Sequence, residues 1–534
     1  MMGILGSGGA TSQLITCSQM RQFEASVIAS GETTGAELME RAGSAVVAAI
    51  ERRWPELFPP AEPGGGQAVV LCGPGKNGGD GYVVARLLHE RGWSLDVIGL
   101  GDQASLPQDA AAARQRFLDA GGEVDDCRDP EGEFPGYMVS TFYDVLIDAI
   151  VGAGGRCPLP PGWRRTRDAF AEDSERLVAI DCFSGLDLDT GQGEGGDGAD
   201  LTVTFHRGRP GHVLGRGPSL SGTVMVADLG LNNAWNHSNG IGWRFQRKAA
   251  LVFGPDMALG GRALAKPVGR HKYDHGHVLV LSGPPERAGA ARLAARAALR
   301  VGAGLVTLGV PLPEDLAGGG PDALMRRVID GPDALTAALE DERINAVCIG
   351  PGLGIERARA MTLAALRHPR GRRRPSLVLD ADALTAFAGD ARTLFDLMGP
   401  WPVVMTPHAG EFQRLFQSAD RPGSRTSLID TVRDAAREAG ATILHKGPTS
   451  VIADDAGSPP TLVAALDVPW LATAGTGDVL AGIVAGLLAR GLAPADAAAT
   501  GALLHAAAAR RFGPGLIADD LPDQLPGVFR DLGL

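Results

Sequence analysis

The residues with the clearest chemical potential are Gly475, Thr476, Gly477 and Asp478, which follow one another in the second half of the chain. An apolar pattern with helical spacing begins directly after them and ends before Gly491. Small residues at a helix N-terminus let backbone N–H groups converge on a phosphate group. A carboxylate would repel that phosphate, so Asp478 is better explained as a base that takes a proton from a hydroxyl. The alternative is a helix-capping aspartate.

A second glycine-rich loop lies in the first half of the chain. Residues 73–81 read GPGKNGGDG and stand between a strand pattern at 68–72 and a helix pattern. The loop matches the G-x-G-x-x-G arrangement of dinucleotide-binding folds, although this match alone is a weak signal. Asn77 and Asp80 occupy the turn, where an ordinary dinucleotide-binding helix has apolar packing residues. We therefore expect polar chemistry at this loop.

Three further polar residues follow predicted strands. Asp148 ends the apolar strand predicted at 144–147, and Asp181 and Ser184 follow the strand at 177–180. Because ligands collect at the carboxyl ends of parallel strands, these side chains are expected near Asn77. An amide oxygen, a carboxylate and a hydroxyl together suit a hard cation. The alternative is that these residues only cap loops.

The second half carries four more polar or glycine-rich loops at predicted strand ends. A single histidine in such a loop is more often structural, whereas several chemically equipped loops at one edge are hard to assign to packing. All four are expected to open onto the edge that holds Asp478. They lie at 350–354, 380–384, 406–411 and 445–450.

Alternating strand and helix patterns predict the frame that brings these loops together. In the first half, strands are predicted at 68–72, 95–100, 145–150, 177–180 and 201–205, with a closing strand at 222–231. In the second half they are predicted at 277–281, 305–309, 346–350, 377–380, 403–406 and 442–445. Such alternation is typical of doubly wound parallel sheets. The predicted fold class is α/β with two domains, 1–236 and 237–534, and a linker at 232–242.

Composition narrows the function classes. Of the 534 residues, 44% are hydrophobic and 21% are charged, as in an ordinary globular protein, and the net charge of −12 argues against nucleic-acid and membrane partners. The basic cluster at 370–374 is interpreted as a solvated loop. No apolar run approaches the ~18 residues of a membrane span. The six cysteines are scattered without a C-x-x-C pair, which favours reduced thiols and a cytoplasmic location.

The first half resembles the NAD(P)H-hydrate epimerase domain over most of residues 15–232. The resemblance is carried by 73–81, 148–152, 180–191 and 199–205. It implies interconversion of the R and S forms at C6 of the hydrated nicotinamide ring. It also implies a K⁺ ion held by Asn77, Asp148 and Ser184, with Asp148 needed for catalysis. The implied hydrate-binding residues are Lys76, Asn77, Gly78, Gly79, Asp80, Gly152, Ala153, Gly154, Gly155, Arg156, Cys157, Pro158 and Asp181.

Two residues depart from the pattern of that family. Lys76 stands where the family usually has asparagine, and Phe183 stands where it usually has proline. Proline would fix φ near about −65° and stiffen the turn, so Ser184 is expected to be less firmly held here.

The second half resembles the ADP- or ATP-dependent NAD(P)H-hydrate dehydratases, which have a ribokinase-like α/β fold. The matching segments are 271–276, 288–306, 350–354, 379–384, 406–415, 445–452 and 471–482. The resemblance implies hydrate binding by Ala290, Gly354, His408 and Asp478. It implies nucleotide binding by Lys446, Gly447, Pro448, Thr449, Ser450, Thr476 and Gly477. Mg²⁺ is expected on the phosphates of the ADP or ATP.

Together the two resemblances imply a bifunctional repair enzyme for hydrated NADH and NADPH. Asp478 would deprotonate the C6 hydroxyl, which attacks the terminal phosphoryl group, and phosphate then leaves. A homo-oligomer is also expected. The alternative is a ribokinase-like small-molecule kinase with a non-catalytic nucleotide-binding first domain. Product analysis separates the two, because a kinase accumulates a phosphorylated substrate whereas a dehydratase releases free phosphate.

Overall fold

The computed structural model describes residues 2–4, 12–58, 66–127, 142–155, 157–236, 249–252, 264–317, 319–368, 374–399, 401–416, 427–465 and 467–534. The chain divides into two compact units, Met1–Ala250 and Leu251–Leu534, and the predicted two-domain α/β class is confirmed. The domain boundary at residue 236 remains a prediction, because 237–248 lie outside the described residues. Asn232–Asn236, expected to begin the linker, form a short helix instead. Residues 370–373 of the basic cluster also lie outside the described ranges.

The first unit is built on a largely parallel sheet. Its strands are β1 (Met2–Ile4), β3 (Gln67–Cys72), β4 (Ser94–Leu100), β5 (Asp125–Cys127), β6 (Val145–Ala149), β7 (Leu177–Ile180), β8 (Leu201–Phe205) and β9 (Thr223–Ala227), while the short strand β2 (Gln13–Leu14) is not part of this sheet. In the described residues the order across the sheet is β1-β9-β8-β7-β6-β3-β4-β5, and β1 is antiparallel to β9. The chain reverses its direction of travel between β3 and β6, which creates a crevice at their carboxyl ends.

Helices cover both faces of this sheet. They are α1 (Cys17–Ala29), α2 (Gly35–Arg53), α3 (Lys76–His89), α4 (Gln108–Asp119), α5 (Pro161–Glu172), α6 (Gly217–Ser221) and α7 (Asn232–Asn236). Alternate residues of β3 face opposite sides, so Val70 packs in the core under α1–α4 while Val69 packs in the core under α5. Thr16 with Gln19 and Thr34 with Glu37 form capping boxes at the starts of α1 and α2.

The second unit is also built on a largely parallel sheet, which has more strands. Its strands are β10 (Ala250–Val252), β11 (His277–Leu281), β12 (Leu305–Val310), β13 (Met325–Val328), β14 (Ile344–Ile349), β15 (Ser376–Leu379), β16 (Val403–Met405), β17 (Thr442–His445), β18 (Thr449–Ala453) and β19 (Thr461–Ala464). The strands β13-β12-β11-β14-β15-β16-β17 run parallel, and the chain reverses its direction of travel between β11 and β14. β18 and β19 add antiparallel strands that the sequence patterns did not predict.

The helices of the second unit surround one central helix. They are α8 (Ala288–Arg300), α9 (Pro332–Leu339), α10 (Ile355–Arg367), α11 (Asp382–Thr385), α12 (Ala391–Met398), α13 (Ala409–Leu415), α14 (Leu428–Ala439), α15 (Thr476–Ala489), α16 (Pro494–Phe512) and α17 (Leu521–Asp531). Nearly every residue of α15 is buried, which makes it the core helix that carries Asp478. Among helices in the described ranges, none has both the length and the apolar run that a membrane crossing requires.

Small residues allow α15 to approach α8 closely. A methyl group at Gly482 would lie 2.0 Å from the carbonyl oxygen of Ala294, which is backbone and has no freedom to rotate away. The neighbouring buried positions of α8, among them Ala291, Ala295 and Ala298, are also small. The position of Asp478 relative to the sheet therefore depends on this contact.

Gly482→Ala tests that dependence. The added methyl forces α15 away from α8, and overpacking of this kind typically costs about 1–3 kcal/mol. We expect a lower midpoint of thermal unfolding, followed by circular dichroism. Gly399→Ala is the matched control, because a methyl at Gly399 has nothing within 4 Å. Equal midpoints for the two variants would contradict the account of this contact.

Candidate active sites

A cavity of about 430 Å³ opens at the carboxyl edge of β3, β6 and β7 in the first unit. Its lining contains most of the residues that the sequence predicted for hydrate binding. These are Lys76, Asn77, Asp80, Gly152, Ala153, Gly154, Gly155 and Asp181. Residues from three separate loops therefore meet in one crevice, as the parallel-sheet argument predicts.

Asp148 lies beneath this cavity and is fully buried. The sequence analysis predicted that Asp148 ends this strand, whereas the structure places it within β6. Its Oδ1 accepts hydrogen bonds from Ser184 Oγ at 2.5 Å and from the Ile150 amide at 3.2 Å, and its Oδ2 accepts one from the Ser184 amide at 2.8 Å. Burial raises the pKa of Asp148, against the lowering influence of Arg167 and of these hydrogen bonds.

Asn77 and Asp181 approach each other across Gly152. A methyl at Gly152 would lie 2.8 Å from Asn77 Oδ1 and 3.2 Å from Asp181 Oδ2, so only glycine leaves the two side chains this close. Asp181 is held firmly, since its Oδ2 accepts from the Ala153 amide at 2.8 Å and its Oδ1 accepts from Thr204 Oγ1 at 2.8 Å. Asn77 Nδ2 is buried and has no hydrogen-bond partner among the described residues.

The Phe183 turn is held by an interaction that the sequence did not reveal. The guanidinium of Arg167 lies 4.0 Å from the centre of the Phe183 ring and also donates a hydrogen bond to the Ser184 carbonyl. Arg167 is itself fully buried and pairs with Asp168 at 2.6 Å. The cation–π contact and hydrogen bond restrain this turn without a proline. Arg167 therefore supplies a restraint on Ser184 that the sequence analysis did not include, while the expectation of a less firmly held Ser184 stays a prediction.

Some predicted residues do not reach the cavity. Gly78 and Gly79 serve packing, since methyl groups there would lie 1.9 Å from the Gly73 carbonyl and 2.6 Å from Met39 Cε. Cys157 Sγ donates to the Gly185 carbonyl at 3.1 Å, and neither Cys157 nor Pro158 lines the cavity. Arg156 lies outside the described residues.

Other cavity residues were missed by the sequence analysis. Glu24 and Arg21 come from α1, Trp163 comes from α5, and Arg209 lies in a loop beyond β8. The sequence offered one signal for Glu24, since it is the only acidic residue of α1. Arg209 offered none, because its approach to Asp181, at 3.9 Å, joins distant parts of the chain.

The second candidate site lies at the N-terminus of α15. Gly475 precedes the helix with φ +90°, a left-handed conformation that favours glycine. Thr476 Oγ1 lies 2.9 and 3.0 Å from the carbonyl oxygens of Leu471 and Thr473, which share its one hydroxyl proton and fix the turn before the helix. Asp478 lies in the first turn of α15, near the amide groups that have no partner inside the helix.

A charge pair stands beside this helix end. Lys446 Nζ donates to Asp380 Oδ1 at 2.6 Å, and Thr406 Oγ1 donates to the same oxygen at 2.8 Å. A methyl at Gly477 would lie 3.4 Å from Lys446 Nζ, so the ammonium group stands next to the helix N-terminus. Burial lowers the pKa of Lys446, but Asp380, Glu411 and Asp478 outweigh that effect and raise it.

The same surroundings act on Asp478 in the opposite sense. Burial is the largest cause that raises its pKa, to about 7, and the negative charge of Asp380 adds to it. Lys446 opposes this rise, while Asp382 and Glu411 contribute to it. A carboxyl group with a pKa near 7 is well matched to a general base at neutral pH.

The remaining predicted residues of this half surround the same edge. His408 caps α13 through Nδ1, and 55% of its side chain is exposed. The Gly354 amide donates to Asp382 Oδ2 at 2.8 Å, and a methyl at Gly352 would lie 3.2 Å from Ala290 Cβ. Gly447 and Pro448 form the turn before β18. Thr449 and Ser450 lie in β18 and not in the loop that the sequence predicted.

The fold and the two sites define a two-domain α/β protein with one polar crevice at the carboxyl edge of each parallel sheet. Residues 35–211 match the family model of the YjeF-related protein N-terminus, and residues 278–525 match that of NAD(P)H-hydrate dehydratase. The bifunctional NAD(P)H-hydrate repair enzyme Nnr of Moorella thermoacetica is 34% identical over 547 residues, with 97% of each chain covered. The Escherichia coli enzyme of the same name is 33% identical and covers 91% of this chain and 88% of its own. The chain belongs to the family of bifunctional NAD(P)H-hydrate repair enzymes.

A solved structure is also similar to part of this chain. The ADP/ATP-dependent NAD(P)H-hydrate dehydratase from Bacillus subtilis, co-crystallised with ATP and Mg²⁺, is 26% identical and covers 53% of this chain and 98% of its own, with a TM-score of 0.40.

Gly152→Ala tests the first site. The methyl enters the space between Asn77 and Asp181, so we expect loss of ligand binding in the cavity with little change in overall stability. Isothermal titration with an NADH hydrate, in the absence of ADP and ATP, measures this binding. Gly399→Ala is the control, because a methyl at Gly399 meets nothing within 4 Å and Gly399 does not line the cavity. Equal affinity for both variants would contradict the assignment.

Proposed function

We propose that this chain repairs hydrated NADH and NADPH with two activities. The first unit interconverts the R and S forms at C6, and the second unit dehydrates the S form with ADP or ATP. The observation that carries the proposal is the environment of Asp478, a carboxyl group at a helix N-terminus whose pKa is raised to about 7. Such a carboxyl group can take the proton from a hydroxyl, so that the hydroxyl oxygen can attack a phosphoryl donor bound beside it.

The dehydration follows from the groups around Asp478. Hydroxide is a poor leaving group at neutral pH, so the C6 hydroxyl must first be converted into a phosphate ester. Asp478 takes the hydroxyl proton, and the oxygen attacks the terminal phosphoryl group of the nucleotide. The amides of Thr476 and Gly477 stabilise the transferring charge, and one such donor is typically worth about 2.7–4 kcal/mol. Phosphate then leaves with help from the lone pair of the ring nitrogen, which restores the reduced nicotinamide.

Lys446 and the acidic residues divide the remaining work. The ammonium group stands next to Gly477 and is suited to pair with a nucleotide phosphate. Asp380, Asp382, Glu411 and Asp478 give this region a surplus of negative charge around that single lysine. Such a surplus fits Mg²⁺ bound with the nucleotide, with Asp382 as the carboxylate that would hold it. Mg²⁺ would supply neutralisation of the phosphoryl charge.

The residues beneath the first cavity fit K⁺. Asp148 is fully buried and forms no ion pair within the described residues, while Ser184 Oγ and Asn77 Oδ1 supply further oxygen atoms. A monovalent cation held by Asn77, Asp148 and Ser184 would offset the buried negative charge. Asp181, Gly152 and the loop from Lys76 to Asp80 would hold the hydrate above it.

Fusion of the two activities has a chemical reason. A base at Asp478 that acts on one stereoisomer leaves the R form unused unless an epimerase accompanies it. We propose the cytoplasm as the compartment of this protein, because its proposed substrates are reduced nicotinamide and adenine nucleotides. A homo-oligomer remains an expectation.

A mixture of R and S NADH hydrates tests the proposal. With ADP or ATP supplied, the intact chain should restore the absorbance of reduced nicotinamide completely. Asp148→Ala should restore only the S fraction quickly, because the R form then reaches Asp478 only by spontaneous epimerisation. Asp478→Ala should restore almost none.

Two outcomes of this assay decide against parts of the proposal. Recovery that is unaffected by Asp478→Ala would rule out Asp478 as the base. Accumulation of a stable phosphorylated hydrate, in place of free phosphate, would identify a kinase. Glu51→Gln serves as the control, since Glu51 is an exposed residue of α2.

A further inference from the structure

Two carboxyl groups line the first cavity without a fixed partner. Glu24 and Asp80 both face this space, and neither forms a hydrogen bond or an ion pair with any described residue. Asp181 differs, since the Ala153 amide and Thr204 Oγ1 occupy both of its oxygens. Glu24 and Asp80 therefore remain available to exchange protons with a ligand in the cavity, whereas Asp181 is suited to hold a ligand in position.

The backbone that carries Glu24 is firmly located. Arg21, one turn earlier in α1, donates to the Ala153 carbonyl at 2.6 Å and ties this helix to the loop after β6. Phe23, the neighbouring residue, stacks on His206 with ring centres 4.8 Å apart. The capping box at Thr16 fixes the start of the helix. Glu24 is thus held at the cavity by contacts that do not involve its own carboxyl group.

The two carboxyl groups have different electrostatic surroundings. Glu24 is near three cations, Arg209, Lys76 and Arg21, and one anion, Asp181. Asp80 is near two anions, Asp181 and Glu24, and one cation, Lys76. Burial raises the pKa of both groups, that of Asp80 well above its ordinary value. The neighbouring anions add to the rise at Asp80, whereas the three cations oppose it at Glu24. Of the two groups, Asp80 is therefore better suited to keep a proton and Glu24 to carry the negative charge.

Epimerisation at C6 needs one group to accept a proton and another to supply one. C6 carries both the hydroxyl and the ring nitrogen N1, so opening of the ring forms a carbonyl at C6 and breaks the C6–N1 bond. The hydroxyl proton must leave and N1 must gain a proton. A carboxylate and a carboxylic acid in one cavity supply this pair of groups.

We propose that Glu24 is a catalytic residue of the first site, which takes the proton from the C6 hydroxyl while Asp80 donates a proton to N1. The inference rests on the proposed epimerase function. After the C6–N1 bond breaks, rotation about C5–C6 presents the other face of the carbonyl. N1 then attacks C6, its proton returns to Asp80, and Glu24 returns its proton to the oxygen. Each group ends in its starting state, and no other reactant is consumed.

Glu24→Gln tests the proposal in the intact chain. Pure R hydrate of NADH is supplied without ADP or ATP, and the appearance of the S form is followed by chromatography. The amide keeps the size of the side chain but cannot accept the hydroxyl proton. We expect kcat to fall by about 10²–10⁴-fold with KM little changed, which is the range for loss of a general base. Glu24→Asp should retain part of kcat.

Three controls separate a catalytic from a structural role. Glu51→Gln should keep the epimerisation rate of the unaltered chain, because Glu51 is exposed on α2. The S-hydrate dehydration rate of Glu24→Gln should also be unchanged. The pH profile of kcat/KM should have an acid limb in the unaltered chain. This limb should be absent in Glu24→Gln.

Either of two results would overturn the role of Glu24. One is an unchanged kcat in Glu24→Gln, and the other is a raised KM with kcat intact, which indicates uniform binding only. Failure of the unaltered chain to convert R into S hydrate is a different result, because it would overturn the proposed epimerase function itself.

Discussion

The ion pair between Lys446 and Asp380 is the interaction on which the second site depends. Asp380 accepts from Lys446 and from Thr406 at the same oxygen, so the ends of β15, β16 and β17 are joined by one carboxylate. The pair holds an ammonium group beside Gly477 and keeps a negative charge near Asp478. Lys446 is thereby placed to bind phosphate, and Asp478 is placed to remove a proton. The packing of α15 against α8 positions Asp478 relative to Lys446.

In the first unit, the site also lies at the carboxyl edge of a parallel sheet, but its charged groups are arranged differently. Asp148 is buried under the cavity, Asp181 is fixed by two hydrogen bonds, and Glu24 and Asp80 are left without partners. A hydrogen-bonded carboxylate keeps its position, whereas an unpartnered one is free to exchange protons. The division between fixed and free carboxyl groups therefore distinguishes holding a ligand from reacting with it.

The sequence predicted the frame better than it predicted the contacts. Strands at 177–180, 201–205, 277–281 and 442–445 were predicted with the bounds that the structure has, because short runs rich in β-branched and apolar residues between helix patterns indicate strands. The hairpin of β18 and β19 was missed, since residues 445–450 were predicted as a loop although β18 begins at Thr449. The Arg167–Phe183 contact and the approach of Arg209 to Asp181 join distant residues, and no local pattern reveals such pairs. Glu24 was missed because its role depends on what surrounds it.

The central claim is that Asp478 acts as a base because its surroundings raise its pKa to about 7. The most direct measurement is the pH dependence of kcat for S-hydrate dehydration at saturating nucleotide. The account predicts a one-proton acid limb with its midpoint near pH 7, and a shift of that limb to lower pH in Glu411→Gln, because loss of a neighbouring negative charge lowers the pKa of Asp478. A kcat that stays constant down to about pH 4, where ordinary aspartates ionise, would contradict it.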